Sequence, residues 1–98
     1  MIKNFFVNNV TFRKQDLGEG LIVSGEIANK TGKNFQSVVF RIVIFVKNKS
    51  LPAGRTLLTI NGFSTGQVRV FEKKMEDLAY NEVINSITNC EILVESAY

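Results

Sequence analysis

The chain has 98 residues, 45% hydrophobic and 21% charged, with a formal net charge of +3. That length makes one domain spanning residues 1–98, with enough apolar content to bury a single core and too much for a disordered chain. The lone cysteine excludes an intrachain disulfide and a structural zinc site, and the absence of histidine removes the commonest general base and transition-metal ligand.

Lys3 to Lys14 predicts a first strand. Val10 and Phe12 alternate with Thr11 and Arg13, but Phe5 and Val7 fall on the opposite phase. A bulge near Asn8-Asn9 would return both pairs to one face. Asp16, Gly18 and Gly20 then mark a turn. Leu21 to Ala28 predicts a second strand, with Leu21, Val23, Gly25 and Ile27 on one face. A glycine at position 25 implies close approach of another backbone, or a bulky neighbour filling the space. Asn29 to Asn34 is a tight turn in which Gly32 meets a need for positive φ.

Phe35 to Lys47 is the longest expected strand. Val38, Phe40, Ile42, Ile44 and Val46 make one unbroken apolar face. Val39, Arg41, Val43, Phe45 and Lys47 make a mixed one. Asn48 to Gly54 carries the only proline, Pro52, which cannot donate to a ladder and suits a loop or edge. Arg55 to Ile60 is a short strand, Asn61 to Gly66 a turn, and Gln67 to Lys73 a further strand. Met75, Leu78, Ala79, Val83 and Ile87 recur at three-to-four spacing, which predicts a short helix over Met75–Ile87. Asn89 to Ser96 is the last strand, with Cys90, Ile92 and Val94 facing in and Glu91 and Glu95 facing out.

Strands at this spacing, separated by Gly and Asn turns, predict an all-β fold. The architecture is an antiparallel β-sandwich of about six to seven strands, with one short helix or helical turn before the last. An oligonucleotide-binding barrel is the rival, but its helix falls in mid-chain.

Four pieces between Val23 and Phe71 carry a family likeness. Val23-Ser24-Gly25-Glu26-Ile27-Ala28-Asn29 is similar to a "V-x-G-x-V-x-N" strand, and Thr31-Gly32-Lys33 to the loop after it. Ile42-Val43-Ile44-Phe45-Val46 stands where a naming motif should lie. Asn61-Gly62-Phe63-Ser64-Thr65-Gly66-Gln67 leads, through a turn, to Phe71. In order and spacing these resemble the FxLyD domain, a small immunoglobulin-like module of bacterial and archaeal proteins. Val46 replaces the motif's aspartate, Ile42 its leading phenylalanine and Thr65 its usual proline. The resemblance implies an immunoglobulin-like sandwich, often attached to cell-envelope proteins, with no established catalytic role.

The residues themselves hold no catalytic constellation. Cys90 lies on the inward phase of the last strand and reads as a small core residue. The Glu76-Asp77 and Glu91/Glu95 pairs read as solvated surface, and Asp16, Gly18 and Glu19 offer too few oxygens for calcium. Lys30-Thr31-Gly32-Lys33-Asn34 lacks the longer glycine pattern and following helix of a phosphate loop. No catalytic residue, metal or cofactor is therefore expected.

The expected function is that of a non-enzymatic interaction or spacer module, binding a protein partner or a second copy through a sheet face or edge. The candidate interface is Val39, Arg41, Val43 and Phe45, on the face of the third strand turned away from the core. A plainer account has that face covered by Met75–Ile87 or by the Asn48–Gly54 loop. The alternative function is binding of nucleic acid or an anionic surface through Lys30, Lys33, Lys47 and Lys49. Nucleic acid is disfavoured because no run of consecutive cations appears. No stretch reaches the roughly 20 apolar residues of a membrane helix, and the start resembles no signal peptide, so a soluble chain is expected. Its cellular location is left open; the resemblance admits association with the cell envelope.

Overall fold

A computed structural model describes residues 4–98. Lys3, where the first strand was expected to begin, lies outside the described residues. Six strands and one turn of helix follow in order: β1 (Phe5–Lys14), β2 (Gly20–Asn29), β3 (Phe35–Val46), β4 (Gly54–Phe63), β5 (Val68–Ala79), α1 (Tyr80–Val83) and β6 (Ile87–Ala97). They form two three-stranded sheets, β1-β2-β5 and β4-β3-β6, and every hydrogen-bonded pair of strands is antiparallel. The all-β sandwich with one short helix before its last strand is thus the fold that the alternation of residues predicts.

The core follows from that alternation. Val38, Phe40, Ile42 and Ile44 of β3 are fully buried and face Leu21, Val23 and Ile27 of β2. Phe5 sets its ring edge-on to Phe40, with centroids 5.3 Å apart. The β1 bulge lies where the phase change requires it. The β1–β2 register slips between Asn8 and Thr11, and Asn9 adopts φ 56°. Phe5 and Val7 before it, and Val10 and Phe12 after it, all pack on the core.

Gly25 pairs in register with Phe71, and the Phe71 ring occupies the space a side chain would need. A β-carbon at position 25 would lie 2.9 Å from Phe71 Cε2 and 3.3 Å from the Asn8 carbonyl oxygen. In the β2–β3 turn, Gly32 takes φ 81°, as the tight turn demands.

The expected helix over Met75–Ile87 is corrected. β5 continues to Ala79, and the helix is confined to Tyr80–Val83. Its source is a bulge: Met75 pairs with Leu21, but Ala79 pairs with Gly20, leaving extra residues between them on β5. Met75 and Leu78, three apart, are therefore both buried from one strand, and that spacing imitates a helical stripe. β4 likewise outruns its expected end at Ile60, reaching Phe63, which fills the core.

The two long sides of the sandwich differ. β4 and β5 approach each other along one side. Along the other, β1 and β6 leave a groove of about 350 Å³ between them, lined by Val10, Phe12, Ile87, Thr88, Asn89 and Cys90.

Candidate interaction surface

The residues expected at an interface do share the outer face of β3, pointing away from the core, but they are not equally available. Val43 is 6% exposed, although it does not belong to the central core. It is flanked in register by Arg55 on β4 and Glu91 on β6, whose long stems suit cover of an apolar neighbour. Val39 and Phe45 are half-buried. Arg41 donates from Nη2 to Glu95 Oε1 at 2.6 Å. Leu57, opposite Arg41 on β4, and Leu93, opposite it on β6, complete this mixed surface. The Met75–Ile87 segment is not its cover: α1 packs on β1, β2 and β5, and β5 lies in the other sheet.

The four candidate lysines do not converge. Lys30 and Lys33 sit at the β2–β3 turn, before β3 begins, whereas Lys47 and Lys49 follow its end. With about 3.3 Å per residue, β3 holds the two pairs roughly 35 Å apart. Each end of the sandwich therefore carries two cations, and no single basic face unites them.

The most exposed apolar cluster is elsewhere, on the outer face of the β1-β2-β5 sheet. Phe6, Ala28 and Val68 stand side by side across three strands, and Val70 follows in the next outward row beside Glu26. Phe6 and Val68 are each 58% exposed and Val70 is 78% exposed. Glu26 and Lys30 rim a shallow depression beside Phe6 and Val68. Sequence reasoning passed over this cluster. The signal was the opposite phase of Phe6 to Phe5 and Val7, and of Val70 to Phe71, but only strand pairing brings the residues into one row.

In the adjacent row, next to Ala28 but buried, Asn29 is the one buried polar side chain among the described residues. Its Nδ2 donates to the carbonyl oxygens of Lys33 and Phe63 at 3.0 and 3.1 Å. Its Oδ1 accepts from the Thr31 amide at 3.0 Å and the Thr31 hydroxyl at 2.7 Å. All four hydrogen-bonding positions of the carboxamide are filled, so the residue clamps loops and has nothing left to offer a ligand. Its main chain extends the clamp: the Asn29 amide donates to the Gln67 carbonyl oxygen, and the Gly66 amide donates to the Asn29 carbonyl oxygen.

Cys90 lines the β1/β6 groove, and burial, with the Glu91 carboxylate beside it, pushes its thiol up to about 11. Such a thiol stays protonated at neutral pH and lines the groove as a small apolar group. Among the described residues no three His, Cys, Asp or Glu side chains gather as metal ligands, and no helix is long and apolar enough to cross a membrane. The chain matches no family model, and neither a curated protein nor a solved structure matches it.

Proposed function

We propose that this chain is a non-enzymatic protein-interaction module, an immunoglobulin-like sandwich of the FxLyD type that associates through a sheet surface. The observation that carries this reading is the Phe6–Ala28–Val68 row with Val70 beside it, an apolar cluster left in solvent on a sheet whose other face fills the core. Its rim bears one charge of each sign, Glu26 and Lys30. Two copies related by a two-fold axis running along the Phe6–Ala28–Val68 row would set each Lys30 toward the other's Glu26, so the occupant this face fits is a second copy.

The FxLyD likeness draws support from the packing. Glycine is needed in the early strand because Phe71 lies against it, and asparagine ends that strand because its carboxamide clamps the loop that follows. The spaced residues that carry the likeness thus act on one another in three dimensions.

Sedimentation equilibrium over a hundredfold range of concentration tests the proposal. The parent protein should dimerise, and Phe6→Asp should weaken dimerisation at least tenfold while melting with the parent at concentrations where both are monomeric, since Phe6 is outside the core. A parent that stays monomeric throughout, or a variant that dimerises equally well, would overturn it.

A further inference from the structure

A second surface has a different character. β6 is hydrogen-bonded to β3 on one side only, so its other edge offers a row of amide and carbonyl groups, regular over Asn89–Val94 where the register with β3 is unbroken. The other three edges are better guarded. β1 carries the bulge at Asn8/Thr11 and ends in Arg13-Lys14, while β4 and β5 lie close to one another and β5 is dense in charge. β6 has neither lysine nor proline, and its own two irregularities, at Thr88 and Glu95, fall toward its ends and leave Asn89–Val94 in unbroken register with β3.

Beside that edge the sandwich is open. Val10, Phe12, Ile87 and Cys90 all touch the core yet remain only half-buried along the β1/β6 groove. An added strand would complete the ladder with its main chain and close the groove with its inward side chains. The charges of β6 narrow the choice of strand. Glu95 is held by Arg41, whereas Glu91 has no cationic partner among the described residues. In the registers that pair most of the strand, a second β6 would bring Glu91 opposite or diagonal to a carboxylate of the other copy, which is repulsive.

We infer that the free edge of β6 takes up an extended peptide segment of a partner protein, one with small apolar residues facing the β1/β6 groove and a lysine or arginine facing Glu91. The segment pairs as a seventh strand, gaining affinity from main-chain hydrogen bonds and selectivity from alternate side chains. This surface is separate from the Phe6 face, and the inference survives loss of dimerisation there.

The test uses two fluorescein-labelled peptides, Thr-Val-Lys-Val-Thr-Val-Lys-Val-Thr and its counterpart with Glu in place of Lys. They are titrated into the parent and into Glu91→Lys by fluorescence anisotropy. Binding is mapped by amide hydrogen exchange. The parent should bind the lysine peptide at least tenfold more tightly than the glutamate peptide, with new amide protection confined to β6. Glu91→Lys, at an exposed position, should reverse that preference and melt at the parent's temperature. Phe6→Asp should leave the binding unchanged. The inference is overturned by absence of binding to the lysine peptide, by protection arising on β1, β4 or β5, or by a preference that Glu91→Lys does not alter. Protection of β6 that appears with protein concentration alone, without peptide, would also overturn it and make a second copy the occupant.

Discussion

Replacing Asn29 by Asp changes one atom of a buried side chain from donor to acceptor, so it isolates what the carboxamide's nitrogen does. In the native protein Nδ2 donates to the Lys33 and Phe63 carbonyl oxygens at 3.0 and 3.1 Å, in a side chain with no solvent exposure. At pH 7 the introduced carboxylate would turn an anionic oxygen toward both carbonyls. Two lost hydrogen bonds cost about 1 kcal/mol each, and a charge left buried against acceptors adds roughly 1–3 kcal/mol, for a total of about 3–5 kcal/mol. For a domain of this size that corresponds to a fall in melting temperature of roughly 12 °C or more.

The pH dependence has a definite sign. Burial and the two facing carbonyls favour the protonated carboxyl, so the folded-state pKa of the introduced group lies above its unfolded value of about 3.9. The protonated form can still donate one of the two hydrogen bonds. The deficit relative to the parent should therefore be smallest near or below pH 4 and should grow as pH rises through the folded-state value. Urea denaturation of parent and Asn29→Asp, followed by far-ultraviolet circular dichroism at pH 4 and pH 7, measures it. A deficit below about 1 kcal/mol at pH 7, or one equal at both pH values, would refute the assignment of Asn29 as the clamp.

Gly25→Ala should destabilise by about 1–2 kcal/mol, because the new methyl meets the buried Phe71 ring at 2.9 Å. The cost should shrink in a Phe71→Leu background, leaving the part due to the Asn8 carbonyl at 3.3 Å, and equal costs in both backgrounds of a double-mutant cycle would show that the ring is not the cause. Cys90 should react with iodoacetamide at pH 8 roughly a hundredfold more slowly than the same thiol in urea, since its pKa is raised to about 11 by burial and by Glu91. Its rate should climb about tenfold per pH unit until that value is reached; a rate matching the unfolded chain would place the thiol in solvent. Glu95→Gln breaks an ion pair whose side chains are 42% and 38% exposed. It should cost less than about 1 kcal/mol and cost less still in 0.5 M salt, as chemical denaturation at two ionic strengths would show.

Much of this molecule could be read along the chain because strand alternation is local. The inward face Val38–Ile44, the bulge at Asn8-Asn9 and the bulky partner of Gly25 each follow from a two-residue period and its interruptions. The same local logic misread Met75–Ile87. A bulged strand and a helix can both place apolar residues three apart, and only pairing with Gly20 and Leu21 distinguishes them.

Surface properties divide in the same way. Alternation was enough to turn Val39, Arg41, Val43 and Phe45 outward, and composition alone leaves the chain without histidine or a second cysteine. It could not show that Val43 is shut in by the strands on either side, or that the four lysines stand at opposite ends of β3. Nor could it gather Phe6, Ala28 and Val68 into one row, or leave β6 as the edge beside an open groove. A residue's phase is set by its neighbours in sequence, but its exposure and company are set by which strands pair. That pairing depends on contacts between segments far apart in the chain.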